Sequence, residues 1–347
     1  MARIAINGFG RIGRLFLRQV FDLSDKNLQI VAINDLGDID NLAYLLKYDS
    51  VYRTFNKDVE AKKNSDGIGG QLIVDGKVIT IVQEKDPAKL PWKDLKIDVV
   101  VESTGLFESF EKSRAHVVAG AKRVVITAPA KDDELADAKT VLMGVNENEA
   151  GKCVITSNGS CTTNATHPVI AILSENPGIE KAMLSTVHGY TATQNLVDGP
   201  TKGSDYRRGR AAAANITPSF TGATLSVTRA LPELTDKFDG LAYRVPVITG
   251  SLADITFISK RDTTVEEINK ILKTAANSSR WKGIVTTTED QLVSSDIIGL
   301  PYGGIIDLKF TKVIDGNLVK VLSWYDNEYG YVSTLVRHVK KVVTVLK

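Results

Sequence analysis

The sequence predicts an α/β protein: an N-terminal Rossmann-type, doubly wound parallel sheet, then a C-terminal α+β domain with a mostly antiparallel sheet. Three observations carry this. The first 35 residues read as strand, glycine turn, helix, strand. Apolar strand and helix patterns then alternate to about residue 126. Beyond about residue 155 the texture changes to longer strands and tight turns. A chain of 347 residues accommodates two domains. The expected division is 1–159, completed by a C-terminal helix over 327–347, and 160–326.

Each element has a local reason. Residues 3–7 form a short apolar strand, and Gly8 to Gly13 a glycine-rich turn. Ile12, Leu15, Phe16, Gln19 and Val20 follow at helical spacing. Residues 28–33 are a second strand, ending in Asn34-Asp35. A right-handed crossover makes these two strands parallel. Residues 71–74 and 77–82 flank Asp75-Gly76, a two-residue hairpin signal. Residues 99–101 and 124–126 read as buried strands with a helix over 110–119 between them. In the second half, strands are expected at 179–187, 241–247, 254–259, 305–314 and 317–324. The last two flank Asp315-Gly316, another hairpin signal. Thr263-Thr264-Val265-Glu266 is a capping-box pattern opening a helix. Val332, Leu335, Val336, Val339, Val342 and Val343 mark an amphipathic helix at the end. The stretch 189–214 is long, polar and rich in Gly, Thr and Arg, which points to a functional loop.

Composition excludes several classes. Hydrophobic residues at 43% and charged residues at 24% are an ordinary globular balance. Lys plus Arg is 43 and Asp plus Glu is 41, with no basic run, so no nucleic-acid partner is expected. No apolar run reaches the roughly 20 residues that span a bilayer, so no membrane is expected either. The start lacks a signal peptide's apolar stretch. Cys153 and Cys161 cannot build a disulfide framework and form no CxxC pair. No metal site is expected, and a cytoplasmic, reducing location is.

Two motifs carry chemistry. Gly8-Phe9-Gly10-Arg11-Ile12-Gly13 matches G-x-G-x-x-G between a strand and a helix, with Asp35 closing the next strand. Glycines let backbone approach a pyrophosphate, and the helix start offers unpaired N–H groups. Asp35 would accept ribose hydroxyls and repel a 2′-phosphate, which favours NAD over NADP. The second motif is Ser157-Asn158-Gly159-Ser160-Cys161-Thr162-Thr163-Asn164. A helix starting at Cys161 would lower the thiol pKa, whereas Pro168 marks a helix starting near 167; both readings stand on sequence alone. Cys153 reads as a buried core cysteine. Of four histidines, His188 ends a strand and opens the polar loop, which makes it the best partner for a thiol nucleophile. Arg207, Arg208, Arg210 and Arg244, with Ser219 to Thr224 introducing a helix, are the parts of oxyanion pockets.

At this density of motifs the chain resembles the glyceraldehyde-3-phosphate dehydrogenases over essentially its whole length. The resemblance rests on Asn7 to Gly13, Asn34-Asp35, Leu45 to Ser50, Glu102 to Phe107, Ser160 to Asn164, His188 to Gln194, Arg207-Arg208, Thr221-Gly222-Ala223, Arg244-Val245-Pro246 and Trp324 to Tyr331. It implies NAD as cofactor, with glyceraldehyde 3-phosphate and inorganic phosphate as substrates. It makes Cys161 the nucleophile at the start of a helix that runs through Pro168, and His188 its base. Thr191, Thr193 and Arg244 would hold the substrate phosphate; Ser160, Thr162, Thr221, Gly222 and Arg208 would hold the attacking phosphate. Gly8, Gly10, Arg11, Ile12, Gly13, Asp35, Lys85, Ser103, Thr127 and Asn327 would contact the cofactor. A homotetramer is also implied. Ala165, His167, Phe220, Tyr329 and the run Val247 to Ser251 depart from the family pattern. Phe220 stands next to the phosphate motif. The nearest rival, erythrose-4-phosphate dehydrogenase, typically lacks Thr-Gly-Ala and releases its thioester to water.

Asp35→Gly is expected to raise the ratio of kcat/KM for NADP to that for NAD, measured by reduced-cofactor formation; an unchanged ratio places discrimination elsewhere.

Overall fold

A computed structural model describes residues 1–23, 25–201 and 203–346. Ser24, Lys202 in the long polar loop and Lys347 at the end of the expected terminal helix lie outside the described residues. The chain divides into two compact units, 1–159 with 335–347, and 160–334.

The first unit runs β1 (Ala2–Asn7), α1 (Arg11–Leu23), β2 (Leu28–Asn34), α2 (Ile39–Lys47), β3 (Val59–Lys63), β4 (Gly70–Val74), β5 (Lys77–Val82), β6 (Val99–Glu102), α3 (Phe110–Val118), β7 (Arg123–Ile126), β8 (Ala138–Thr140) and β9 (Ile155–Ser157). These strands form one sheet in the order β3-β4-β5-β2-β1-β6-β7-β9-β8. It is parallel except where β4 pairs with β3 and β5. The order reverses between β1 and β6, which pair in parallel from Ile4–Val99 to Asn7–Glu102. Such a reversal leaves a crevice at the carboxyl ends of the two strands. The glycine turn follows β1 and Ser103 follows β6, so sequence and topology converge there. Phe110, Trp92, Val100, Val124 and Ile155 are among the residues packing the core.

Three strands of this unit escaped the sequence reading, as did the four-residue strands Thr217–Phe220 and Val285–Thr288 of the second. β3 is Val-Glu-Ala-Lys-Lys, an exposed edge strand held by its partner rather than by an apolar pattern. β8 and β9 have three residues each, too few to show a period.

The second unit runs α4 (Cys161–Glu175), β10 (Ile179–Gly189), β11 (Thr217–Phe220), α5 (Ala223–Ala230), β12 (Phe238–Val245), β13 (Ser251–Ser259), α6 (Val265–Ala276), β14 (Val285–Thr288), β15 (Gly304–Ile314) and β16 (Leu318–Tyr325). α7 (Tyr329–Thr344) closes the chain and passes from this unit to the first. The sheet order is β11-β12-β10-β13-β16-β15-β14. It is mostly antiparallel, but β10 with β12 and β14 with β15 are parallel, which the sequence did not reveal. β12 stops at Val245, short of the expected 247, because Pro246 has no N–H for the ladder. The helix starts one residue later than expected, and the reciprocal half of a capping box is not made. Thr264 is the N-cap and accepts from Glu267 N, while the Glu267 carboxylate accepts from Thr263 Oγ1.

α7 is fixed in the first unit by a buried histidine. His338 Nδ1 meets Asn158 Oδ1 at 3.0 Å and its Nε2 meets Thr156 Oγ1 at 2.8 Å. Burial pushes His338 down to about 3. Below pH 6.5 the unfolded chain therefore takes up a proton that the fold refuses, and stability falls as pH drops toward 3. This histidine contributes a slope of at most about 1.4 kcal/mol per pH unit. The stability advantage of the native protein over His338→Gln is expected to shrink from pH 7 to pH 4 in denaturant titrations; a constant advantage contradicts this.

Candidate active site

Two sets of side chains are built here, one in each unit. In the first, the cavity at the strand reversal measures about 290 Å³. Its walls include Gly8, Gly10, Asp35, Lys85 and Ser103, together with Asn7, Asn34, Leu36, Pro87, Thr104, Leu106 and Phe107. Arg11, Ile12, Gly13 and Thr127 lie outside that lining. Gly8 has φ +91°, and a Cβ there would lie 2.6 Å from the Thr104 nitrogen. A Cβ on Gly10 would meet nothing within 4 Å, so packing does not demand this glycine and the space is left for a ligand. Asp35 accepts from Phe9 N at 2.7 Å and Gly37 N at 2.8 Å, which locks its carboxylate at the end of β2. Ser103 Oγ donates to Gly8 O at 2.7 Å and ties the two loops. Arg11 is turned to the Asp49 carboxylate and the Tyr52 ring.

In the second unit, α4 begins at Cys161, which decides between the two helix starts that sequence left open. Ser160 is the N-cap. Its Oγ accepts from Thr163 N at 3.0 Å, and Thr163 Oγ1 accepts from Ser160 N at 3.0 Å. This reciprocal cap is strong enough to start the helix ahead of Pro168, which sits inside it. Cys161 Sγ lies 3.3 Å from His188 Nε2. β10 and β12 pair in register with His188 opposite Arg244. Arg244 Nη1 is 2.6 Å from His188 Nδ1, and the Gly189 carbonyl is also 2.6 Å from that nitrogen. The two contacts compete: the carbonyl needs a proton on Nδ1, the guanidinium needs its lone pair.

The electrostatics correct one expectation. Burial pushes the Cys161 thiol up, while Arg244 and the N–H groups at the helix start pull it down less strongly. The helix start therefore acts on this thiol in the expected direction, but against the larger opposing effect of burial. Burial, aided by the Arg244 charge, pushes His188 down to about 3. Burial thus disfavours charge on both partners of this contact. Cys153 is buried at 1% exposure, and burial pushes its thiol up as well.

The polar loop supplies further anion-seeking groups. Thr191 and Thr193 share a hydrogen bond at 2.9 Å. Arg208 donates to Thr193 Oγ1 at 3.2 Å and to Ser219 Oγ at 3.0 Å, so it joins this pair to β11. Thr221 Oγ1 accepts from Ala223 N, and Gly222 opens α5 with no side-chain cap, leaving N–H groups of its first turn for a ligand. Thr162 is different from expectation. Its hydroxyl is turned inward to Tyr325 Oη at 2.8 Å. Phe220 is 81% exposed with its ring against Arg207, which takes it out of the way of Thr221. Asn327 Oδ1 accepts from Gly250 N and Ser251 Oγ, which fixes its amide orientation.

Family models match both halves of the chain: the glyceraldehyde 3-phosphate dehydrogenase NAD-binding domain over residues 2–110 and its C-terminal domain over 160–327. The chain belongs to the glyceraldehyde-3-phosphate dehydrogenase family. It is 46% identical to the glyceraldehyde-3-phosphate dehydrogenase of Clostridium pasteurianum, with all of both chains covered. It is 50% identical to that of Thermotoga maritima and 47% to that of Clostridium acetobutylicum, each with 97% of both chains covered. The chain is accordingly an NAD-dependent oxidoreductase.

Two features of this dehydrogenase site had no sequence signal. Tyr325 Oη bridges Thr162 Oγ1 and Thr186 Oγ1 at 2.8 and 2.6 Å, and its ring meets His188 edge-on at 5.8 Å. It fixes the first turn of α4 to β10 beside His188. The pairing of β10 with β12 was equally hidden, since paired residues such as His188 and Arg244 stand 56 positions apart. Tyr325→Phe strands the buried Thr162 hydroxyl, while Thr186 keeps its bond to Leu252 O, and is expected to cost about 1–3 kcal/mol in denaturant titrations; unchanged stability contradicts the bridge.

Proposed function

We propose that the chain oxidises D-glyceraldehyde 3-phosphate to 1,3-bisphosphoglycerate in glycolysis, through a thiohemiacetal and a thioester on Cys161. The observation that carries this is the 3.3 Å contact between Cys161 Sγ and His188 Nε2 at the start of α4. Gly8, Gly10, Arg11, Ile12, Gly13, Asp35, Lys85, Ser103, Thr127 and Asn327 are the residues proposed to hold NAD. The open side of Gly10 and the backbone-locked Asp35 fit a pyrophosphate and a ribose diol. When bound, NAD supplies the hydride acceptor.

The chain's own residues do the rest. Arg244 and the hydroxyls of Thr191 and Thr193 bind the substrate phosphate. An anion there draws the Arg244 guanidinium off the ring, so Nδ1 donates its proton to Gly189 O and the Nε2 lone pair faces sulfur. His188 takes the thiol proton as sulfur bonds to the aldehyde carbon, and passes it to the aldehyde oxygen. It then takes the hydroxyl proton as hydride leaves that carbon, which yields the thioester. Ser160, Thr162, Thr221, Gly222 and Arg208 hold inorganic phosphate for attack on the thioester. Thr162 can serve by its backbone, because its hydroxyl is engaged. The carbon–sulfur bond breaks, the acyl phosphate leaves, and the proton returns to sulfur from His188. Positioning and fixed charge supply much of the rate.

A homotetramer is part of the proposal. Met183, Val187, Leu241 and Tyr243 stand exposed on neighbouring strands β10 and β12, and Leu196 and Val197 in the polar loop are 78% and 72% exposed. Such apolar clustering on one sheet face fits subunit contact. A cytoplasmic location fits two free thiols. Among the described residues no helix is long and apolar enough to cross a membrane.

Cys161→Ser is expected to lose at least ~10³-fold in turnover while NAD binding, read by titration calorimetry, persists. NADH formation from glyceraldehyde 3-phosphate should require phosphate or arsenate beyond the first turnover. Sustained phosphate-independent turnover contradicts the phosphorylating reaction and favours the erythrose-4-phosphate type.

A further inference from the structure

Behind the dinucleotide pocket runs a chain of buried polar groups to which the mechanism assigns no task. Trp92, His116 and Glu102 are 0%, 0% and 2% exposed. The Trp92 indole nitrogen donates to His116 Nδ1 at 3.0 Å. An indole N–H only donates, so Nδ1 carries the lone pair and the ring proton sits on Nε2. Nε2 lies 2.9 Å from Glu102 Oε2 and donates to it. Asn7 Nδ2 donates to the same oxygen at 2.5 Å, which explains why it also lies 3.3 Å from Nε2. The other carboxylate oxygen accepts from Thr104 N at 2.8 Å and Thr104 Oγ1 at 2.5 Å. Four donors thus converge on one carboxylate.

The order continues to the pocket wall. With Nδ2 on Glu102, Asn7 presents Oδ1 to Asn34 Nδ2 at 2.7 Å. Asn34 Nδ2 also donates to Glu84 O, and its Oδ1 accepts from Glu84 N. Asn7, Asn34, Glu84 and Thr104 line the pocket, whereas Trp92, His116 and Glu102 do not. Each donor direction along this chain follows from the donor-only indole at its far end. Reversing the imidazole tautomer would set an N–H against the Trp92 N–H and leave a lone pair facing a carboxylate.

We propose that His116 is a positioning residue for the cofactor. Its Nε2–H, aimed by Trp92, holds the Glu102 carboxylate, which in turn sets Thr104 and the Asn7 and Asn34 amides on the pocket wall. The proposal rests on the reading of this pocket as the dinucleotide site. A residue that only filled core space would be replaced as well by leucine as by glutamine. A positioning residue would not, because glutamine alone can donate to Glu102 while accepting from Trp92.

The test is NAD affinity by titration calorimetry, with the indole N–H resonance of Trp92 read in the cofactor-free protein. His116→Leu is expected to weaken NAD about tenfold, the worth of one charge-assisted hydrogen bond. The KM for NAD should rise with it and the KM for the aldehyde change less than about twofold. His116→Gln should recover affinity to within about threefold of the native protein. Trp92→Phe keeps the aromatic bulk, releases Nδ1 to take the proton, and should weaken NAD although it lies outside the pocket. The Trp92 resonance should move in His116→Leu far more than in His116→Gln. Native affinity in both His116→Leu and Trp92→Phe overturns the proposal, as does a glutamine variant as weak as the leucine one. If His116→Leu does not fold, tight binding by His116→Gln with weak binding by Trp92→Phe supports the proposal, and any other pairing overturns it. A native protein that binds no NAD would instead overturn the reading of the pocket, and this proposal with it; the indole resonance would still report whether the relay exists.

Discussion

The contact between one sulfur and one imidazole nitrogen is the constraint on which the catalytic unit depends. The sulfur is placed by a capping box, and the imidazole by the last residues of an 11-residue strand. Neither device is catalytic by itself. Ser160 and Thr163 satisfy each other's backbone, which starts the helix one residue after the cap and sets Cys161 in its first turn. β10 pairs with β12 in parallel and β13 antiparallel, which leaves His188 no freedom of register. Tyr325 then joins helix to strand through two threonine hydroxyls.

Burial gives that contact its character. It pushes the thiol up and the imidazole down, so charge is disfavoured on both. Arg244, half-buried against the ring, is a fixed positive charge in contact with this pair. In the proposed mechanism the same residue that attracts the anionic substrate governs which ring nitrogen carries the proton. That proposal links substrate binding and base competence through a single guanidinium.

Much of this was legible in the sequence, for reasons that differ by element. The glycine turn was legible because its constraints are backbone constraints: Gly8 and Gly13 cannot carry a Cβ, and Asp35 is fixed by the turn it closes. The long strands of the second half showed their apolar pattern and their hairpin glycines. The helix start at Cys161 was ambiguous because proline usually marks a first turn, and only the reciprocal cap overrides that preference. What stayed hidden depends on pairing over long separations. β3, β8 and β9 draw their identity from partners, and the parallel pairing of β10 with β12 sets Arg244 against His188 across 56 residues. Thr162 was legible as part of the motif but not in orientation, since nothing local says that its hydroxyl turns to Tyr325. Buried polar chains such as Trp92–His116–Glu102 are invisible for the same reason: each member is unremarkable until the fold brings the others to it.

The most direct measurement is the location of the acyl group. The protein is mixed with glyceraldehyde 3-phosphate and NAD without phosphate, quenched in acid after one burst of NADH, and peptide-mapped by mass spectrometry. The account predicts a phosphoglyceroyl adduct, stoichiometric with NADH, on the peptide containing Cys161. An adduct on Cys153 or elsewhere, or a full NADH burst with no acyl-protein, would contradict it.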